Sequence, residues 1–267
     1  MNSRVSVAID DGVAAVRLSR PEKMNALDDL MFQALIESGE RLRHEPKLRA
    51  VVLSGDGKAF CGGIDLGSLE QLGSQAPDAL TRRPYGLTNM FQHAAWVWHD
   101  LPVPVIAAVH GVAFGGGFQI MLGADMRIAA ADARFSVMEI RWGLVPDMAG
   151  TLLMRQLARD DIVRELTYTG RIFSATEAQS YGFVTRVSDD PLADALALAK
   201  DIARQSPDAV REAKRLFNGL SPVATLADGL RAESDAQGRL IGSFNQREAV
   251  SAGFQKRPPL FKDAGAD

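Results

Sequence analysis

Apolar and polar residues alternate along the first stretch of the chain. Val5, Val7 and Ile9 lead into Asp10-Asp11-Gly12, and Val13, Ala15 and Arg17-Leu18 follow. Period-two alternation on both sides of an Asp-Gly pair predicts a β-hairpin. The period then changes. Leu30, Met31, Ala34, Leu35 and Leu42 recur at helical spacing behind Asp28 or Asp29, either of which can cap a helix, and the pattern ends before Pro46. Residues 49–54 and 103–109 are apolar runs that predict buried strands, and a third apolar segment follows at Met126-Arg127-Ile128-Ala129. Strand, glycine-rich loop, helix and strand in succession predict α/β layering with parallel crossovers.

From about residue 148 the pattern turns helical, with segments at 148–158, 160–168, 175–181, 190–205, 207–218, 222–240 and 246–256. Short β signals near Phe183-Val184-Thr185 interrupt them, and Pro207 and Pro222 stand where helices commonly begin. The expected division is an α/β core over 1–195 and a helical region over 196–267. Residues 68–85 lack periodicity and carry Gly73, Pro77 and Pro84, the composition of a surface loop.

Composition narrows the function. A chain of 267 residues with 46% hydrophobic content can bury a sizeable core. A net charge of −3 gives no general attraction to nucleic acid or to an anionic membrane, so neither is an expected partner. The single cysteine, Cys61, excludes an internal disulfide and a cysteine-rich metal site. The four histidines, His44, His93, His99 and His110, have no metal-ligand spacing, so no metal is expected. With no signal-like or membrane-length apolar segment, the expectation is a soluble cytoplasmic protein.

The candidate chemistry lies where strands meet glycines. The strand at 103–109 runs through His110 to Phe114 into Gly115-Gly116-Gly117 and then Phe118-Gln119-Ile120-Met121-Leu122. A helix starting there exposes N–H groups without internal partners, at the positive end of its dipole, where a carbonyl oxygen can become anionic. A second glycine-rich turn, Gly55 to Leu66, follows the strand at 49–54. Neither turn matches a dinucleotide or phosphate loop. Either alone can be a purely steric device, but two together suggest a paired backbone site.

Ala59-Phe60-Cys61-Gly62-Gly63-Ile64-Asp65-Leu66, with Val105-Ile106-Ala107-Ala108-Val109-His110-Gly111 and the glycine triplet, resembles the crotonase (enoyl-CoA hydratase/isomerase) superfamily. The resemblance extends to Arg20-Pro21-Glu22-Lys23-Met24-Asn25-Ala26-Leu27, to Gly143-Leu144-Val145-Pro146 with Gly150-Thr151, and to Phe254 through Phe261, so it covers essentially the whole chain. It implies a crotonase-like (ClpP/crotonase) α/β fold, a layered β-sheet core of repeated ββα units with a helical C-terminal region. It also implies an acyl-CoA thioester as substrate, coenzyme A being part of that substrate and no separate cofactor, and a homotrimer or dimer of trimers.

By the same resemblance the oxyanion N–H groups belong to Ile64 and Gly116. Hydratases of the family carry glutamates at the positions of Gln119 and Glu139, and here only the second is kept. Gln119 lies three residues after Gly116, so its side chain is expected to face the same ligand. A glutamine cannot take up and return a proton at neutral pH. Asp147 matches an acid of the dienoyl-CoA isomerase branch, which has an aspartate where Gln119 stands. The favoured expectation is double-bond isomerisation with Glu139 and Asp147 as catalytic residues. Hydration through Glu139 and a non-catalytic acyl-CoA binder are the alternatives. Gly62, Asp65, Leu66, Gln119 and Trp142 are expected in the substrate pocket, and Lys23, Met24, Ala26, Lys58, Ala59, Phe60 and Lys256 at coenzyme A.

Simpler roles compete at several positions. Asp147 could cap a helix opening at Met148, which would lower its pKa. Glu139 could pair with Arg134 or Arg141, and Asp65 could brace the first glycine loop. Cys61 has no histidine at an interpretable spacing, and no role is assigned to any histidine.

Overall fold

The computed structural model describes residues 4–65, 67, 78–219 and 225–264. Strands β1 (Val5–Asp10) and β2 (Val13–Leu18) form the expected hairpin. Its two turn residues, Asp11 and Gly12, have φ of 45° and 78°, the left-handed pair that matches the twist of the flanking strands. Strands β3 (Ala50–Gly55), β4 (Val105–Val109), β6 (Met126–Ala130) and β9 (Arg186–Ser188) continue the sheet in parallel, in the order β1-β2-β3-β4-β6-β9.

Both faces of this sheet are covered, which is why β3 and β4 read as unbroken apolar runs. Val51, Leu53, Val105 and Ala107 face one core with Phe32 and Leu35 of α1 (Asp29–Arg43) and Trp98 of α2 (Met90–His99). Ala50, Val52, Ile106 and Ala108 face the other, against Ala195 and Ala199 of α7 (Pro191–Ala203). Helix α7 therefore spans the expected boundary at 195 and belongs with the sheet it packs on. Asp28, rather than Asp29, caps α1, accepting from the Met31 N–H at 2.9 Å.

A second sheet of β5 (Val112–Phe114), β7 (Arg134–Ser136) and β8 (Phe173–Ser174) was not expected from sequence. Runs of two or three residues are too short to show a period. Between β5 and β7 runs α3 (Gly116–Leu122), every residue of it buried. Phe118 on α3 meets Phe135, Phe173 and Phe183 edge-on at centroid distances of 6.2, 5.7 and 5.4 Å, which seats the glycine triplet on a rigid aromatic cluster. The β signal expected at 183–185 falls instead on β9, because Phe183 is spent on that cluster.

The remaining helices are α4 (Gly150–Leu157), α5 (Asp160–Thr169), α6 (Ala175–Tyr181), α8 (Pro207–Gly219), α9 (Leu226–Leu240) and α10 (Phe244–Gln255). Helix α9 opens at Leu226 behind a Thr225 capping box, so Pro222, among residues outside the description, does not begin it. Lys214 fixes α8 to the core, its Nζ donating to Val103 O at 2.9 Å and Asp125 Oδ2 at 2.7 Å. No described helix is long and apolar enough to cross a membrane.

Candidate active site

The two glycine-rich loops are stitched together by backbone hydrogen bonds. Phe60 N donates to His110 O at 2.9 Å, Cys61 N to Val112 O at 3.0 Å, and Phe114 N to Cys61 O at 3.1 Å. Gly115, at φ 50° and ψ −121°, turns the chain from β5 directly into α3, a conformation that side chains with a Cβ avoid. Gly117 is required by proximity, since a Cβ there would lie 2.5 Å from Cys61 O. Gly117→Ala should therefore lower stability by about 1–3 kcal/mol and depress turnover with it. A melting temperature equal to wild type would show that the loops can part without cost.

Ile64 is held from both sides. Leu27 N donates to Gly63 O at 2.8 Å, and Asp65 N donates to Leu27 O at 2.9 Å. The Ile64 N–H between these bonds takes no acceptor among the described residues, nor does that of Gly116, the first residue of α3. Both residues line one cavity of about 480 Å³ whose wall is mostly apolar, including Leu27, Phe114, Met138 and Met148. Glu139 and Asp147 line the same cavity.

Glu139 stands on a 3₁₀ turn, Met138–Trp142, that follows β7. Its Oε1 accepts from Gln119 Nε2 at 2.6 Å, while its buried Oε2 has no partner among the described residues. Burial pushes its carboxyl above the usual range, and the nearby Asp147 adds to the rise. Its own backbone N–H and the Gln119 amide act the other way. Glu139 makes no ion pair with Arg134 or Arg141 among the described residues; Arg134 donates to Asp132 O and Ala133 O instead. Asp147 sits at the rim, its residue surface open to solvent on one side. The wall still strips enough water from the carboxyl to push its pKa up.

Gln119 does not face the cavity. It is fully buried, and its Oε1 accepts from Met148 N at 2.9 Å and Gly150 N at 3.0 Å. Segment 147–150 packs across that face of α3, with the Met148 sulfur 2.8 Å from where Gly116 would carry a Cβ. The amide is thus a strut behind the wall, joining the Glu139 carboxylate to the start of α4. This also settles the capping of α4. The helix opens at Gly150 behind Ala149, which has φ of 63° and no capping side chain, and the Gln119 carbonyl supplies the acceptor. Asp147 does not cap it, and its pKa moves up rather than down.

Of the expected pocket residues, Gly62 and Trp142 line the cavity, Gln119 and Asp65 do not, and Leu66 lies outside the described residues. The Asp65 carboxylate accepts from Arg20 Nη1 at 2.6 Å and from Gly67 N at 3.0 Å, and the Arg20 bond holds its pKa down. Near the cavity, Gly62 N donates to Met24 O at 2.8 Å, and Lys23, Met24 and Lys58 are exposed with Ala26 half-buried. Ala59 and Phe60 are buried, and their carbonyls accept from the Asn25 amide at 2.8 and 3.2 Å. Lys256 ends α10 at φ 52° and does not line the cavity of its own chain.

Sequence reasoning overlooked Asn25. Fully buried at φ 54°, it donates from Nδ2 to Asp56 O at 2.9 Å and Ala59 O at 2.8 Å and accepts from Arg20 N at 2.8 Å. The available signal was an asparagine, which tolerates left-handed backbone, inside a conspicuous motif. Cys61 donates its thiol to Asn25 O at 3.1 Å, and burial pushes its pKa up, the opposite of what a thiolate nucleophile needs.

Residues 8–264 match the family model described as Enoyl-CoA hydratase/isomerase. The chain is 35% identical over 258 residues to the 1,2-epoxyphenylacetyl-CoA isomerase of Escherichia coli (strain K12), covering 95% of this chain and 96% of that protein. It is 39% identical over 211 residues to the mitochondrial Delta(3,5)-Delta(2,4)-dienoyl-CoA isomerase of Rattus norvegicus, covering 76% of this chain and 64% of the relative. A crystal structure of an enoyl-CoA hydratase from Bacillus anthracis superposes with a TM-score of 0.89 at 32% identity, covering 97% of this chain and 99% of that one. With the paired backbone donors, the apolar cavity and a family match over nearly its full length, the chain belongs to the enoyl-CoA hydratase/isomerase, or crotonase, family of enzymes that act on acyl-CoA.

Proposed function

We propose that the protein is an enoyl-CoA isomerase that shifts a double bond by proton transfer between Glu139 and Asp147. The supporting observation is that two carboxyl groups with raised pKa share one cavity with the Ile64 and Gly116 N–H groups. The third position, where hydratases carry an acid, is an amide engaged in three hydrogen bonds behind the wall.

The thioester oxygen lies between the two N–H groups. The Glu139 carboxylate, through its unpartnered Oε2, removes a proton from a carbon acidified by the thioester. The electron pair moves onto the thioester oxygen, where preformed donors stabilise it; one such donor is worth roughly 10²–10³ in rate. In the state of the pair in which the shared proton sits on Asp147, that carboxyl returns a proton at the other end of the shifted π system, so nothing is added overall. Lys23, Met24, Ala26 and Lys58, on the surface beside Gly62, receive the nucleotide end of coenzyme A. The exposed apolar residues of the helical region, among them Phe217 and Phe254, form the contacts of a homotrimer or dimer of trimers. Light scattering at micromolar concentration tests that assembly.

Hydration is the competing reading, favoured by the same unpartnered Oε2, which could hold a water. Unsaturated acyl-CoAs incubated in isotopically labelled water separate the two by mass. Isomerisation exchanges hydrogen without adding water. Asp147→Asn should slow isomerisation by roughly 10²-fold or more. A product heavier by one water, formed equally well by Asp147→Asn, would overturn the assignment.

A further inference from the structure

We propose that Arg20 is a positioning residue for the oxyanion site, acting through Asp65 on the direction of the Ile64 N–H. Granting, as proposed above, that this N–H holds the thioester oxygen, its aim matters to within a few tenths of an ångström. A donor must stand 2.7–3.1 Å from the oxyanion in order to act on it. The Ile64 N–H has no acceptor among the described residues to orient it, so its neighbours must.

Those neighbours form a single parallel bridge, Leu27 against Ile64. Arg20 clamps both sides of that bridge. On the Ile64 side its Nη1 donates to Asp65 Oδ2 at 2.6 Å. On the Leu27 side the same nitrogen donates to Ala26 O at 3.2 Å and lies 3.5 Å from Asp28 Oδ2. Leu27 sits between these last two residues, so displacing the guanidinium frees the bridge at both edges. The clamp is itself fixed. Asp28 caps α1 and pairs with Arg4 at 2.8 Å, and the Arg20 backbone N–H donates to Asn25 Oδ1 at 2.8 Å. The Arg20 and Asp65 side chains are only 11% and 18% exposed, so water competes weakly for the pair. Arg20 does not line the cavity that the two N–H groups share.

A clamp of this kind leaves a signature that a merely stabilising residue does not. The readout is the carbonyl stretching frequency of bound octanoyl-CoA, isotopically labelled at the thioester carbonyl, a saturated probe that cannot turn over. Wild type should shift this stretch to lower frequency on binding. Arg20→Met should lose at least half of the shift and roughly 10–100-fold in kcat, less than outright loss of a donor, with KM within about threefold. The pH profile should keep its shape, because Glu139 and Asp147 are untouched. Arg20→Lys should recover part of both effects, and Asp65→Asn should reproduce the loss without adding to it in the double variant. If Arg20→Met does not fold, Asp65→Asn carries the same test. A full wild-type shift in a variant of reduced kcat would overturn the role of Arg20 alone. Absence of any shift in wild type would overturn the oxyanion assignment and the Arg20 role with it.

Discussion

Glu139→Gln should abolish turnover while leaving a protein that still binds acyl-CoA and melts at a higher temperature than wild type. Loss of a proton-transfer group costs roughly 10²–10⁴ in rate. Binding is carried by the backbone donors and the apolar wall, so octanoyl-CoA affinity by calorimetry should stay within about threefold. The gain in stability follows from the burial of Glu139. Its carboxyl is pushed up, so the neutral form is the one the folded protein prefers. That preference favours the native state fully below the unfolded-state pKa, near 4.3, and is lost as pH rises through the raised native value. An amide keeps an oxygen for the Gln119 Nε2 and carries no charge to desolvate. The variant should therefore melt above wild type at neutral pH, the direction being set by the lost charge. The advantage should vanish at strongly acid pH, where both proteins are neutral at this position. Retained turnover would reject Glu139 as the proton carrier, and a lower melting temperature at neutral pH would show its carboxylate to be structurally satisfied.

The same shifts govern the pH dependence of wild type. Activity should rise as the base ionises and fall as the acid deprotonates, with both limbs above the ordinary carboxylate range because burial raises both groups. The two apparent values belong to the Glu139 and Asp147 pair, since the Asp147 charge adds to the rise at Glu139.

Local sequence rules read the scaffold well wherever an element carried its own period and its own punctuation. The Asp11-Gly12 turn, the Asp28 cap, and helices α5 and α6 are of this kind. Strands β7 and β8 were illegible because they exist only as partners of β5 and of each other. In the site, the glycine triplet was legible because backbone geometry and close approach demand glycine whatever surrounds it. The direction of Gln119 was not. Helical spacing pointed it toward the ligand, but segment 147–150 packs on that face of α3, and that packing is decided by residues about 30 positions later. The capping alternative at Asp147 fails for the same reason in reverse: a local rule offered the cap, and a side chain from α3 takes that role. The apolar wall contributed by Leu80, Leu144 and Val145 has no periodicity to announce it.

That long-range strut makes Gln119 the position where stability and chemistry are most tightly joined. Gln119→Leu keeps the volume but leaves Met148 N, Gly150 N and Glu139 Oε1 without partners in a buried setting. Each unpaired group costs about 1–3 kcal/mol, so a loss of roughly 3 kcal/mol or more is expected by chemical denaturation. Turnover should fall beyond what unfolding explains, because the Glu139 carboxylate loses the contact that aims it. Gln119→Glu separates the two roles. One carboxyl oxygen can go on accepting from Met148 and Gly150, but the other meets Glu139 Oε1 where an N–H stood at 2.6 Å. Two carboxyls so close can share one proton but resist ionising together. The variant should match wild type in stability at acid pH, where the shared proton replaces the amide hydrogen. It should weaken as pH rises and that proton is lost, with the rising limb of its activity displaced upward. Stability independent of pH in Gln119→Glu would mean that the new carboxyl has swung away from Glu139, and a hydrated product from it would mean that it has reached the cavity.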